Sequence, residues 1–147
     1  MNLLYVPILT GIIAIVVVYL ISRGILSKDP GNDKMKEVSG YIEEGALSFL
    51  KKEYSYLAVF IIIVALAIWI FLQFETAIAF VVGALFSIIA GFVGMRIAVK
   101  SNVRTAQAAK QGMKGALSIA FSGGSVMGLC VVGLGLIGLG FFSIIFD

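Results

Sequence analysis

Four long apolar stretches constrain the fold of this chain more than any other feature. An α-helix rises ~1.5 Å per residue, so about 20 apolar residues are needed to cross the ~30 Å hydrocarbon core of a bilayer. The stretches of that length are residues 3–21, 54–74, 77–95 and 116–146. They predict an all-α integral membrane protein with four transmembrane helices, in which residues 1–147 form a single membrane region.

Composition agrees with lipid as the main solvent. Of the 147 residues, 61% are hydrophobic and 13% are charged, whereas soluble domains have roughly 45–50% apolar and about 25% charged residues. One core of this size cannot bury that excess. The first apolar stretch lacks a preceding basic segment, so we interpret it as a membrane anchor and not as a cleaved signal peptide.

The positive charges lie in two polar segments, residues 22–53 and 96–115. All eleven lysines and arginines of the chain fall there. Basic residues concentrate in cytoplasmic loops of membrane proteins. We therefore expect both segments to be cytoplasmic loops, with both ends of the chain outside, in the plasma or inner membrane of the cell.

The first polar segment contains a helix signal. Residues 29–33 predict a turn, after which Asn32 or Asp33 can cap a helix. Apolar residues then follow at helical spacing, namely Met35, Val38, Ile42, Ala46 and Phe49. We predict a cytoplasmic amphipathic helix running into the second span. It could be a docking face for a partner domain, or it could rest on the membrane surface; the sequence leaves both interpretations open.

Chemically active groups are sparse. The chain has no histidine and one cysteine, Cys130, and all eight acidic residues lie outside the predicted spans. Glu43 and Glu44 are adjacent, so they diverge on a helix and do not form a chelating pair. Asp29 and Asp33 flank a turn and could hold a cation weakly, although a solvated loop is the favoured interpretation. We predict no catalytic, substrate-binding or metal-binding residue in this chain.

Small residues recur on the third and fourth spans. Gly83, Ser87 and Gly91 are spaced by four residues, and Gly124, Gly128 and Gly135 share one face of the fourth span. Such spacing lets helix backbones approach closely in membranes. Because the fourth span carries small residues on more than one side, we expect these helices to belong to a larger helical bundle.

Three segments together carry a family resemblance. Residues 35–53 (MKEVSGYIEEGALSFLKKE), 91–109 (GFVGMRIAVKSNVRTAQAA) and 116–140 (ALSIAFSGGSVMGLCVVGLGLIGLG) occur in the order and spacing of membrane-bound inorganic pyrophosphatases. The chain resembles the N-terminal fragment of such a protein. The resemblance covers residue 22 to the end, whereas the first span is generic.

The resemblance implies a large homodimeric pump that hydrolyses pyrophosphate with Mg²⁺ and drives H⁺ or Na⁺ out of the cytoplasm, and it leaves a requirement for K⁺ open. The aspartate-rich motifs that hold pyrophosphate and magnesium in that family do not occur here. We therefore expect these spans to be outer-ring helices without catalytic residues. Their expected partners are the remaining helices of the pump, a second copy and the lipid bilayer, with no nucleic acid.

Two other interpretations compete with the pump. The chain could be a small accessory or assembly protein with four helices and no catalysis. It could also be an ion-ring subunit, but that function needs a carboxylate in mid-membrane, which the sequence lacks. Arg96 and Arg104 either order the loops below the substrate site or serve only as topology anchors, and the second role is favoured.

Overall fold

The computed structural model describes residues 5–146 and consists of four α-helices joined by short links. They are α1 (Tyr5–Leu26), α2 (Asp33–Phe71), α3 (Phe74–Ala109) and α4 (Met113–Ile145). Each helix is long and apolar enough to cross a membrane, which confirms the predicted all-α membrane fold. The first residues of the predicted span 3–21, and Asp147, lie outside the described residues.

The two polar segments are mostly helical. Within them only residues 27–32, between α1 and α2, and residues 110–112, between α3 and α4, lie outside the helices. The link between the second and third helices is Leu72 and Gln73, slightly earlier than the expected position around Glu75 and Thr76. Glu75 instead lies in the first turn of α3, where a carboxylate interacts favourably with the positive end of the helix dipole.

The predicted amphipathic helix and the second span form one continuous helix. Its N-cap is Asn32, whose Oδ1 accepts a hydrogen bond from the backbone N–H of Met35 at 3.0 Å. The turn before it needs Gly31, which has a φ of +87°, a conformation that residues with a Cβ rarely adopt. With 39 residues, α2 is about 59 Å long.

Helices α2 and α3 pair side by side along nearly this whole length. The rings of Trp69 and Phe74 lie 5.9 Å apart beside the short link. Farther along, the Tyr54 hydroxyl donates to the Ile88 carbonyl at 3.0 Å, and Lys100 Nζ lies 3.8 Å from Glu43 Oε1. From one contact to the next, the position on α2 moves back by nearly the same number of residues as the position on α3 moves forward. The two helices therefore form an antiparallel hairpin in constant register.

The core lies between helices α1, α3 and α4, with α4 packed between α1 and α3. Its buried residues are Val18, Ile25, Ala90, Val126 and Cys130. Among residues 5–146, α2 packs only against α3, and no residue in its most apolar window is buried. Apolar side chains that face outward along all four helices need lipid or further helices around them, as expected of an integral membrane protein.

Candidate functional site

The end of the bundle that carries the links of residues 27–32 and 110–112 concentrates the charge of the molecule, and we call it the basic end. It holds all eleven basic residues of the chain and six of the eight acidic ones. Its surface is therefore net positive, and most of the described side-chain hydrogen bonds between residues far apart in the sequence lie here.

Arg104, on α3, fastens the end of α1. Its Nε donates to the Lys28 carbonyl at 3.0 Å and one Nη donates to the Leu26 carbonyl at 3.2 Å. The other Nη donates to the Lys100 carbonyl at 2.8 Å within α3. The last carbonyls of a helix lack partners inside the helix and carry partial negative charge. A guanidinium satisfies them well because its donors are always charged and fixed in one plane.

Asp29 holds the same link from its other side. One carboxylate oxygen accepts from the Gly31 backbone N–H at 2.9 Å, and the other accepts from Gln107 Nε2 at 3.1 Å. The Gly31 N–H, followed by Gln107, favours the ionised carboxyl and lowers the pKa of Asp29 below its usual range. Residues 27–32 are thus attached to α3 through both Arg104 and Gln107.

Arg96 behaves differently from Arg104. Its guanidinium lies 5.6 Å from the centre of the Phe92 ring on its own helix, and Arg23 lies in the same way 5.8 Å from the Tyr19 ring on α1. Long basic side chains next to aromatic rings are typical of the membrane–water boundary. The two arginines thus have different contacts. Arg104 bonds to the link between α1 and α2 and to the end of α1, whereas Arg96 contacts an aromatic ring as a residue at the membrane boundary does.

The small residues of α4 face in two directions. A Cβ on Gly133 would lie 3.1 Å from the Gly11 carbonyl oxygen, and one on Gly140 would lie 2.6 Å from Ile8, so these glycines allow α1 to approach closely. By contrast, a Cβ on Gly124, Gly128 or Gly135 would meet no atom within 4 Å in the described chain. The face singled out from the sequence is therefore the open one.

A magnesium site does not fit the residues described here. Between Tyr5 and Phe146, no group of three or more His, Cys, Asp or Glu side chains could hold a metal ion. Several carboxylates are already engaged, because Asp29 accepts two hydrogen bonds and Asp33, Glu37 and Glu43 each lie near a lysine.

Several of these contacts were not predicted from sequence. The turn of residues 29–33 was recognisable, but its partners Arg104 and Gln107 lie more than 70 positions away in the chain. Tyr54 is the first residue of the predicted second span, and its hydroxyl joins α2 to α3. A tyrosine beside an apolar run is the only signal that the sequence offers for this bond.

Comparison with known proteins identifies the family. The family model described as inorganic H⁺ pyrophosphatase matches residues 12–147. A putative K⁺-stimulated pyrophosphate-energized sodium pump of Clostridium tetani is 49% identical over 122 residues, covering 83% of this chain and 18% of the relative. A K⁺-insensitive pyrophosphate-energized proton pump of Methanosarcina mazei is 40% identical over 132 residues, covering 88% and 20%.

A K⁺-stimulated pyrophosphate-energized sodium pump of Thermotoga maritima is 44% identical over 109 residues, covering 73% of this chain and 15% of the relative. The chain thus spans about a fifth of the length of these relatives and matches only their N-terminal region. The match contains all but the first turns of α1 and the whole of α2, α3 and α4. The order of motifs, the four apolar helices and these identities agree, and the chain belongs to the family of membrane-bound, ion-pumping inorganic pyrophosphatases.

Proposed function

We propose that this chain forms the N-terminal, outer-ring helices of a pump that couples pyrophosphate hydrolysis to H⁺ or Na⁺ translocation. The observation that carries the proposal is the family match over residues 12–147, which includes nearly all of the four-helix bundle. The relatives that share this region are named as pyrophosphate-energized pumps for sodium or for protons. In this proposal the four helices are a scaffold, and pyrophosphate and Mg²⁺ bind to residues beyond this chain.

The scaffold role follows from where the charges lie. All eight acidic residues fall outside the predicted spans, and an ion path through the bilayer needs polar or ionisable groups at membrane depth. Such groups would come from other helices. What this chain offers is a tightly packed bundle whose open small-residue face, at Gly124, Gly128 and Gly135, leaves room for a neighbouring helix.

The proposal includes an orientation. Because all eleven basic residues lie at one end, we place the basic end in the cytoplasm and both ends of the chain outside, in the cell membrane. A cysteine introduced at exposed Lys36 should react with a membrane-impermeant maleimide in inside-out vesicles only. Reaction in intact cells would show that the basic end lies outside, so that the proposed orientation is wrong while the fold is unaffected.

The experiment that tests the function uses the full-length polypeptide that contains these 147 residues. Purified and reconstituted into vesicles, it should release phosphate from pyrophosphate in the presence of Mg²⁺. It should also transport H⁺ or Na⁺ into the vesicles. Because relatives include both K⁺-stimulated and K⁺-insensitive pumps, each assay is run with and without K⁺. Absence of hydrolysis under all these conditions would overturn the proposal.

Two companion measurements address the partners. The mass of the solubilised full-length protein should equal two copies, as expected for a homodimer. The 147-residue piece alone should neither bind nor hydrolyse pyrophosphate, because a cluster of three or more metal-binding side chains is lacking between Tyr5 and Phe146. Magnesium-dependent phosphate release by the pure piece would place catalytic residues here and contradict the scaffold role.

A further inference from the structure

The α2–α3 hairpin is longer than the hydrocarbon core of a bilayer is thick. The paired contacts run from Trp69 and Phe74 to Met35 and Lys110, a length of about 51 Å at 1.5 Å per residue. The hydrocarbon core is only ~30 Å thick. Because basic side chains favour the membrane–water boundary, we place that boundary near Lys51 and Lys52 on α2 and near Arg96 on α3, with the rest of the hairpin in water.

An apolar groove runs along this projecting part, between the two helices. Its volume is about 370 Å³. Its apolar lining comes from Met35, Val38 and Ile42 on α2 and from Val99, Val103 and Ala106 on α3. We call this surface the outer groove. Val38 and Ile42 keep 45% and 48% of their surface exposed, which is a large apolar exposure for a site surrounded by water.

Lipid is a poor occupant of the outer groove. Val103 lies about 10 Å beyond Arg96 along α3, and Val38, which is nearly level with Val103 in the hairpin, lies about 20 Å beyond Lys51 along α2. An acyl chain would have to leave the hydrocarbon core to reach them. The constant register of the hairpin also opposes the alternative in which the first half of α2 rests on the membrane surface, because that half stays paired with α3.

Charge narrows the choice of protein partner. On the α3 side of the outer groove, residues 97–110 carry Lys100, Arg104 and Lys110 and no acidic residue, so a second copy presenting the same side would be repelled. A segment with aliphatic side chains on one face and carboxylates beside them would be attracted. A groove between two helices accepts a third helix with its apolar residues spaced by three and four positions.

We propose that the outer groove is the docking site for an amphipathic helix with aliphatic anchors and an acidic flank, contributed by the part of the pump polypeptide beyond this chain. The inference rests on the proposed function, and the relatives provide the length for it, since this chain covers only 18–20% of them. Docking there would attach the outer helices to the cytoplasmic part of the pump.

The test measures how fast cysteines in the outer groove react in the full-length protein. Val38→Cys and Ile42→Cys are compared with Lys36→Cys, which lies on the opposite side of α2 and replaces a side chain that is 53% exposed. In native membranes that are permeable to the reagent, the two groove cysteines should react with a hydrophilic maleimide about tenfold more slowly than the control cysteine. Equal rates would show an open groove and overturn the docking proposal.

A photo-cross-linking residue at Ile42 then identifies the occupant. The expected adduct joins Ile42 to a segment of the same polypeptide beyond residue 147, with aliphatic residues at helical spacing next to Asp or Glu. An adduct with lipid, an adduct between two differently tagged copies, or no adduct would overturn the proposal. Pyrophosphate hydrolysis by the unmodified membranes is measured in parallel: active membranes with reactive groove cysteines contradict the docking alone, whereas a protected groove in inactive membranes contradicts the function alone.

Discussion

The guanidinium of Arg104 donates a hydrogen bond to the backbone carbonyl of Lys28 at 3.0 Å, across 76 positions of sequence. Together with the bond from Arg104 to the Leu26 carbonyl, this contact holds the C-terminal end of α1 against α3. It fixes the direction in which the chain leaves the first helix. The link of residues 27–32 is therefore positioned by tertiary contacts and not only by its own turn residues.

Replacing Arg104 with glutamine should release this link. Hydrogen bonds from a charged donor contribute about 1.5–3 kcal/mol, and partial exposure to water reduces that value here, so we expect a loss of about 1 kcal/mol in local stability. In membranes, trypsin should cleave faster after Lys28 in Arg104→Gln than in the wild type. Arg96→Gln is the control, because Arg96 stacks on Phe92 and does not bond to the link. Equal cleavage in all three proteins would contradict the role given to Arg104.

Asp29 makes the link sensitive to acid. Its pKa is lowered, first by the Gly31 N–H and then by Gln107. A carboxyl with a lowered pKa in the folded state stabilises that state above the ordinary value of about 3.9, and the effect is lost as the pH falls through the lowered pKa. Wild type should therefore melt at a higher temperature than Asp29→Asn at pH 6, and the difference should shrink at pH 3. A difference that grows on acidification would reverse the sign and refute this account.

The sequence predicted the parts of the fold that depend on local patterns. Four apolar runs specify four helices because lipid requires every backbone polar group to be paired within the segment. Asn32 was one of two expected caps, and the structure selects it because its Oδ1 reaches the Met35 N–H. The expected position of the second link was slightly late, because the apolar pattern is continuous there and neither Leu72 nor Gln73 is a strong turn residue.

The interhelical contacts could not be predicted from one sequence. Arg104 looks like any basic residue of a loop, and only the packing of α1 against α3 brings it to the Leu26 carbonyl. The glycines show the same limit. Gly124 and Gly133 have equal local signals, yet Gly133 contacts α1 whereas Gly124 is open, because the rotation of α4 about its axis is set by all its neighbours together.

Tyr54→Phe should weaken the pairing of α2 with α3. The lost bond joins the Tyr54 hydroxyl to the Ile88 carbonyl, and hydrogen bonds between membrane helices contribute about 0.6 kcal/mol on average. We expect a destabilisation of about 0.5–1 kcal/mol in reversible unfolding with sodium dodecyl sulfate in mixed micelles. Tyr56→Phe serves as the matched control, since the Tyr56 side chain is 69% exposed. If both variants unfold alike, the bond does not contribute to stability.

Gly11 should be intolerant of any side chain. A Cβ at this position would lie 2.6 Å from the Gly133 carbonyl oxygen and 2.7 Å from Ile137, so α1 and α4 would have to separate. Overpacking of this kind costs roughly 1–3 kcal/mol. Gly24→Ala, on the same helix with no atom within 4 Å of the new Cβ, should be neutral or slightly stabilising because alanine favours the helix. Unfolding of both variants in mixed micelles checks this, and equal stability would argue against the close α1–α4 contact.

The constant register of the α2–α3 hairpin predicts which cysteine pairs can be cross-linked above the bilayer. Lys100 Nζ lies 3.8 Å from Glu43 Oε1, so the two positions face each other, and Glu43→Cys combined with Lys100→Cys should be cross-linked by a short bifunctional maleimide in native membranes. Buried Cys130 remains as an internal control that stays unmodified. Leu47→Cys with Lys100→Cys moves one partner by a turn, about 6 Å along the axis, and should cross-link much less. If the first half of α2 left α3 to rest on the membrane surface, both pairs would fail equally, and the part of the hairpin that projects beyond the bilayer would not exist as described.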